Sequence, residues 1–275
     1  MNLLLSIALK QLLDRKRQSI VSLLGIILGV AFFLAISSLM QGSEKDFIRR
    51  LVDNSPHINI VDEFRAPRPQ AVVERFPDGA VELSNVRPMT ETRGIRNYEE
   101  ILAYLQQFQG VRASPVLLGQ ALVSFAGKDF GVTLNGMIPE QIKGVTTIEA
   151  YMIEGTIDEL IGYPDGIIIG AELAAKLSLS LGDNVTVSAT TGQNRAFKIV
   201  GIFRTGRAAY DEVQTFVTLK RVQALLNRPR RANAVIVKLP DPYAAREMAA
   251  AIEGRMGYKS ISWQEASEDI MNTLA

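Results

Sequence analysis

Residues 20–40 read IVSLLGIILGVAFFLAISSLM and contain neither a charged residue nor a proline. An α-helix rises ~1.5 Å per residue, so roughly 20 such residues cross the ~30 Å hydrocarbon core of a bilayer. The stretch therefore predicts one transmembrane helix. Two alternatives fit it less well. A buried helix of a soluble protein is shorter and more polar, and a cleaved signal peptide has an apolar region of only ~7–15 residues, followed by a small-residue cleavage site.

The charges that flank this stretch predict its orientation. Arg15, Lys16 and Arg17 stand just before it, and clustered basic residues are retained on the cytoplasmic side of a membrane. We therefore expect residues 1–17 to form a cytoplasmic segment and the rest of the chain beyond the span to lie outside the cytoplasm. The polar residues after the span continue a helical pattern, so residues 18–54 are predicted to form the transmembrane helix and a stalk.

Within the span, Gly25 and Gly29 form a GxxxG pair. Such a pair lets a second helix approach closely, which makes the two glycines candidates for helix packing in the membrane. The same pattern also arises by chance in apolar segments, so both interpretations stay open.

Composition excludes several kinds of chemistry. The 275 residues include no cysteine, which rules out disulfides, thiolate nucleophiles and cysteine-ligated metals. His57 is the sole histidine, and we interpret it as structural. The phosphate-binding loop and the metalloprotease and serine-hydrolase motifs are absent, so the chain is not expected to be an enzyme. A net charge of +1 gives no reason to expect a nucleic-acid partner.

Beyond the span, alternating strands, turn residues and short amphipathic helices predict an α+β domain. Asn97 is positioned to cap one helix, and the dipeptide Asp241-Pro242 is a typical helix start. Two β-α-β units are expected, flanking a turn-rich insert. The predicted divisions are a split β-α-β, porter-like domain at 55–139 and 232–262, an inserted mixed subdomain at 140–231, and the start of a truncated helix at 263–275.

Several motifs, in this order, resemble one family of membrane proteins. RKRQSIVSLLGIILGVA at residues 15–31 resembles the first transmembrane helix of MacB/FtsX-like ABC transporter permeases. DGIIIGAELA at 165–174, LGDNV at 181–185 and FKIVGIFRTG at 197–206 resemble their periplasmic core domain, and the closest similarity is to the lipoprotein-releasing (LolC/LolE) type. The resemblance assigns structural roles to these motif residues: Gly166, Gly170, Gly182, Asp183, Gly201, Gly206 and Asp211.

The resemblance implies a location and a set of partners. Permeases of this family lie in the inner membrane, with four transmembrane helices and a large periplasmic domain between the first two. They work as dimers with a separate cytoplasmic ATPase, so this chain would need no cofactor and ATP with Mg would bind the partner subunit. The implied partners are that ATPase, a second permease copy or paralogue, membrane lipids, and lipoprotein cargo or a periplasmic adaptor.

The resemblance implies a permease subunit that transmits ATPase motion to its periplasmic domain and so moves or releases lipoproteins or other amphipathic cargo. The alternative is a mechanotransmission or scaffold protein that regulates an envelope hydrolase without transport. One departure bears on the choice. Lipoprotein-releasing permeases that hand cargo to a periplasmic chaperone have a long connection between two strands, whereas only residues 190–195 lie at the corresponding place here.

Overall fold

A computed structural model describes residues 16–62 and 94–268 of the chain. The chain divides at residues 53–54 into a helical unit and a folded unit. Arg15 and nearly all of the predicted cytoplasmic segment lie outside the described residues. So do residues 63–93 of the predicted split domain and residues 269–275 of the predicted C-terminal helix.

The helical unit contains one long helix, and the helices of the folded unit are short. The α-helices are α1 (Lys16–Asn54), α2 (Tyr98–Leu105), α3 (Pro139–Ile142), α4 (Glu159–Gly162), α5 (Ala171–Leu177), α6 (Ala208–Val213), α7 (Leu219–Leu225), α8 (Ala245–Met256) and α9 (Trp263–Ala266). Single 3₁₀ turns stand at Ile148–Tyr151 and Pro242–Ala244.

The strands carry most of the buried side chains of the folded unit. They are β1 (Ile58–Val61), β2 (Ile95–Arg96), β3 (Arg112–Phe125), β4 (Lys128–Met137), β5 (Met152–Gly155), β6 (Gly166–Gly170), β7 (Asn184–Ala189), β8 (Asn194–Phe203), β9 (Gln214–Thr218), β10 (Arg231–Ala232), β11 (Ala234–Lys238) and β12 (Lys259–Ser262).

One end of the sheet has the order β12-β1-β11-β3, and each strand there is antiparallel to its neighbour. Helix α2 connects β1 to β3, and α8 connects β11 to β12. Tyr98, Ile101, Leu102 and Leu105 of α2 are buried, at the spacing of one helix face. This part of the sheet is called the split sheet below, because its strands come from both ends of the folded unit.

The rest of the sheet closes on itself. Pairing runs from β3 to β4, β9, β6, β8 and β7 and returns to β3. We call these six strands the ring. Leu134, Val187, Phe197 and Val217 are fully buried in it. Strand closure satisfies backbone groups that an open sheet would leave at its edges, and β5 extends the ring only at β8.

The predicted boundary at residue 140 does not coincide with this pairing. The first part of β3, residues 112–116, pairs with β11 in the split sheet, while residues 117–125 pair with β4 in the ring. Strand β4 is therefore a ring strand as well, and the ring begins more than twenty residues before the predicted insert. Strand β3 passes from one sheet to the other without a break, so no loop marks the transition.

Three local predictions have clear outcomes. Asp241 accepts a hydrogen bond from the backbone N–H of Tyr243, as expected of a helix start. Asn97 does stand before α2, but it is in a left-handed conformation and makes no side-chain capping bond, so its predicted role is wrong. The interpretation of His57 as structural is supported. Its imidazole side chain is buried, and the imidazole Nδ1 accepts a hydrogen bond from the backbone N–H of Leu239 at 3.1 Å.

Candidate functional site

Helix α1 carries an exposed apolar band. Residues Leu23–Ser43 are long and apolar enough to cross a membrane, judged by length and composition. Phe32 and Phe33, for example, are 69% and 68% exposed within the described part of the chain. No proline interrupts the helix between Lys16 and Asn54. Exposed aromatic and aliphatic side chains all round a helix are typical of a lipid-facing segment.

Gly25 and Gly29 lie in this band. A Cβ atom built on either glycine meets no heavy atom within 4 Å, so the surface above both is open in the described structure. Residues four apart share one helix face, which leaves a shallow flat strip there. Whether a second helix occupies the strip stays a prediction. Arg17 is exposed near the start of α1, and the orientation that the basic cluster implies also stays a prediction.

Two of the motif residues, Gly170 and Asp211, meet where β6 passes into α5. Gly170 is the last residue of β6, and a Cβ atom at this position would overlap the backbone carbonyl oxygen of Asp211. The main chains of β6 and α6 therefore touch directly. Because Gly170 has ordinary extended dihedral angles, φ −76° and ψ 152°, the requirement for glycine here is steric rather than conformational.

Asp211 joins this contact to the following turn. Its side chain is 1% exposed, and both carboxylate oxygens accept the backbone N–H of Thr205 at 3.0 Å. The Thr205 hydroxyl donates to Oδ1 at 2.6 Å. The carboxylate is thus held by three hydrogen-bond contacts from one residue, as a buried charge requires. Gly206 follows with φ +83°, a left-handed conformation that favours glycine.

Two other motif glycines, Gly166 and Gly201, allow close packing of β8 against its neighbours β6 and β5. The pairing register shifts so that Ile167 faces Ile199 while Ile168 faces Gly201, which makes Val200 the extra residue of a β-bulge. A Cβ on Gly201 would lie 2.6 Å from Met152 Cε, and one on Gly166 would lie 2.9 Å from Val200 Cγ2.

The remaining motif pair forms the turn into β7. Gly182 has φ +94°, and its N–H donates to the carbonyl of Ile199 at 2.8 Å. The Asp183 carboxylate accepts the backbone N–H of Ser180 at 2.8 Å. Both residues therefore fix a turn against β8, and neither is part of the Asp211 contact.

A cavity of ≈ 290 Å³ lies beside the Asp211 turn, where the split sheet and the ring meet. Its apolar wall belongs to one core cluster, which contains Met137, Ile142, Ile148, Phe203, Phe216 and Ile236. Its polar rim includes Thr146, Thr205 and Arg207. A concave apolar wall with a few polar groups at its edge is the general form of a small-molecule site.

Aromatic rings connect the cavity to the Asp211 turn. Phe203 packs edge-on against Phe216 and Tyr210, with ring centroids 5.3 Å and 6.2 Å apart. Burial raises the pKa of the Tyr210 phenol above its usual value. The guanidinium of Arg207 lies over the Tyr210 ring, 4.9 Å from its centroid, in a cation–π contact that holds the cation at the rim.

Two glycines outside the sequence motifs also allow close contacts with neighbouring side chains. A Cβ on Gly119 would lie 2.5 Å from Leu226 Cδ1, and a Cβ on Gly136 would lie 2.8 Å from Val222 Cγ2. Both glycines are on ring strands. Val222 lies in α7, and Leu226 is the residue directly after that helix. Glycine inside a strand is the general signal for such a close approach.

Within residues 16–62 and 94–268, no group of three or more His, Cys, Asp or Glu side chains is arranged to hold a metal ion. The folded unit offers a buried carboxylate that ties a turn to a helix and a cavity at the sheet junction. The helical unit, taken by itself, offers an exposed apolar band.

Known proteins share sequence similarity with this chain over most of its length. A family model described as the MacB-like periplasmic core domain matches residues 19–255. The lipoprotein-releasing system transmembrane protein LolC of Neisseria meningitidis serogroup B is 25% identical over 261 residues, which cover 90% of this chain and 56% of the relative. The corresponding protein LolE of Haemophilus influenzae is 24% identical over 237 residues, covering 82% and 51%. The chain thus spans about half the length of these relatives.

Among solved structures, the periplasmic region of MacB from Actinobacillus actinomycetemcomitans has the same fold. It superposes with a TM-score of 0.52 at 13% identity, covering 81% of this chain and 95% of that chain. These matches confirm the resemblance inferred from the glycine-containing motifs.

Proposed function

The chain belongs to the MacB-like periplasmic core domain family, and from this premise we propose that it forms part of the permease subunit of an ABC transporter. In this role it does no bond chemistry, and a separate cytoplasmic ATPase hydrolyses ATP with Mg. Its folded unit is periplasmic, and a second permease copy or a paralogue completes the membrane assembly. The observation that carries the proposal is that one family-model match, over residues 19–255, includes both the helix with the exposed apolar band and the folded unit that follows it.

The proposed mechanism is mechanical. All backbone hydrogen bonds of a helix are internal, so a helix without proline resists bending and can transmit force along its length. Helix α1 has no proline over its 39 residues. A neighbouring helix packed on Gly25 and Gly29 would give α1 a defined surface on which to slide or tilt.

The proposed cargo is a lipoprotein or another amphipathic molecule. The relatives LolC and LolE are named lipoprotein-releasing system transmembrane proteins, and this cargo class rests on their similarity to the chain. The exposed apolar band does not itself identify cargo.

A second function, regulation of an envelope hydrolase without transport, has one observation in its favour. The connection between β7 and β8 is only residues 190–193, closed by hydrogen bonds between Ala189 and both Gln193 and Gly192. This tight hairpin provides no long loop on which a periplasmic chaperone could dock, and a function without transport needs no chaperone.

The same hairpin bears on the transport function. We propose that, if cargo is transported, it leaves without a chaperone docked at this hairpin.

The test is the coupling of ATP hydrolysis to cargo release in vesicles that contain the full-length subunit and its ATPase. Gly25→Leu and Gly29→Leu should lower the amount of cargo released per ATP, because the added side chains separate the packed helices. Gly42→Leu is the matched control, since Gly42 lies in the same helix, is equally open and points to a different face. Ile48→Pro should also uncouple the two activities by kinking α1.

Normal coupling in Gly25→Leu, Gly29→Leu and Ile48→Pro would show that α1 is only an anchor. ATP hydrolysis without any cargo release by the wild-type complex, together with activation of an added envelope hydrolase, would favour the regulatory function instead.

A further inference from the structure

The cavity at the junction of the split sheet and the ring has an apolar wall and a charged side chain at its rim. Its wall is formed by buried apolar residues such as Met137, Phe216 and Ile236. Its volume of ≈ 290 Å³ is close to the lower end, about 300 Å³, of cavities that hold small ligands.

Arg207 is the charged side chain on the cavity rim. Its guanidinium lies over Tyr210, and it forms no ion pair with another residue in the described part of the chain. The neighbouring carboxylate of Asp211 is buried and accepts its hydrogen bonds from Thr205 rather than from Arg207. The rim therefore presents a positive charge beside an apolar interior.

Thr146 adds a second polar feature. Its hydroxyl is buried, and it has no hydrogen-bond partner among residues 16–62 and 94–268, although Thr146 lines the cavity. A buried hydroxyl without a partner costs free energy, and because this oxygen has almost no accessible surface, a ligand oxygen would reach it only after the Thr146 side chain rotates toward the cavity.

We propose that this cavity binds an anionic amphiphile, with its alkyl chain against Phe216 and Ile236 and its acidic head group at Arg207. A carboxylate or a phosphate head group satisfies the chemistry equally well. The guanidinium donates charge-assisted hydrogen bonds to either, while the apolar wall excludes water from the chain. The inference deepens the proposed function by giving amphipathic molecules a binding site in the folded unit, and it does not require that they are transported.

The experiment is photolabelling of the whole chain in phosphatidylcholine nanodiscs, without any ATPase. The probe is a diazirine-bearing C12 fatty acid, and the uncharged control is the matching C12 alcohol. Labelled positions are mapped by mass spectrometry of peptides, so that label in the cavity is separated from label on α1. We expect the acid to label peptides that contain residues 142–151 and 205–216, about tenfold more than the alcohol does.

Three variants test the residues. Arg207→Gln should reduce cavity labelling by the acid about tenfold, and Arg207→Lys should restore most of it, because a single hydrogen-bonded charge is worth this factor. Arg204→Gln is the matched control, since Arg204 is exposed nearby and does not line the cavity. Thr147→Trp should block labelling by filling the cavity from its rim. Thermal unfolding of each variant checks that the fold is intact.

Competition by unlabelled dodecanoate or dodecyl phosphate identifies the preferred head group, and competition by either supports the site. Equal labelling by acid and alcohol, unchanged labelling in Arg207→Gln, or label confined to α1 would each overturn the proposal. Because no transport is measured, loss of coupling in the α1 variants leaves this result unaffected, and failure here leaves the permease assignment standing.

Discussion

Gly170→Ala should destabilise the folded unit far more than its single added methyl group suggests. The new Cβ would overlap the carbonyl oxygen of Asp211. Neither atom can rotate away, because the oxygen is part of the main chain and the Cβ is bonded directly to it. Strand β6 and helix α6 must separate instead. Since Asp211 also anchors Thr205, the displacement extends into the turn beside the cavity.

The magnitude follows from overpacking. Inserting a methyl group into a closely packed interior costs about 1–3 kcal/mol, and contact with backbone atoms places this variant near 3 kcal/mol. For a folded unit of this size, each kcal/mol shifts the melting temperature by about 2–4 °C, so a decrease of about 6–12 °C is expected. The dihedral angles of Gly170 suit alanine, so none of the effect is conformational.

The assay is urea and thermal unfolding of the whole chain in detergent. Trp263 is the single tryptophan and is buried on the split sheet, while far-UV circular dichroism reports the whole unit. The matched control is Gly131→Ala, because Gly131 is an exposed ring-strand residue with open space around its Cβ position. That change should be neutral or stabilising by less than about 1 kcal/mol. A Gly170→Ala protein within about 0.5 kcal/mol of wild type would falsify the steric explanation.

Other predictions address orientation, independence and pH. A cysteine at the exposed residue Gln193 should react with an impermeant maleimide added outside the inner membrane, and one at Ser6 should not; the reverse pattern would place the folded unit in the cytoplasm. A soluble fragment of residues 55–268 should unfold in one cooperative transition, whereas aggregation or a gradual transition would show that it depends on α1. Burial raises the pKa of Tyr210, so the stability that its neutral phenol provides is present below pH ~10 and lost as pH rises through the raised pKa. Tyr210→Phe should therefore lose less stability than wild type when the pH is increased above ~10, and equal losses would contradict this assignment.

Parts of the folded unit could be read from the sequence because they depend on neighbours along the chain. The helix start at Asp241 follows from a short side chain that accepts a nearby N–H. The turn at Gly182 follows from a positive φ that only glycine adopts easily. Asn97 shows the limit of this reasoning, since its type suits a cap and its backbone conformation excludes the capping bond.

The junction beside the cavity could not be predicted in this way. The motifs identified Gly170 and Asp211 as significant. Only the fold reveals that residue 170 must be glycine, because the backbone carbonyl of Asp211 occupies the place that a Cβ atom at residue 170 would take. Gly119 and Gly136 carry no motif, and their close approach to α7 depends on how β3 and β4 curve within the ring. Turn density, from which the boundary at residue 140 is predicted, does not detect one strand shared by two sheets.

The sequence by itself determined that an uncharged helix long enough for a bilayer precedes an α+β domain, since length, charge and periodicity are properties of contiguous residues. Only the tertiary structure decided that β3 closes a ring, that Arg207 lies on an apolar cavity, and that Asp211 is buried. An apolar run specifies that its side chains avoid water but not which lipid or protein groups they contact. Contacts between distant segments arise from the complete set of strand pairings, which no single stretch of the chain contains.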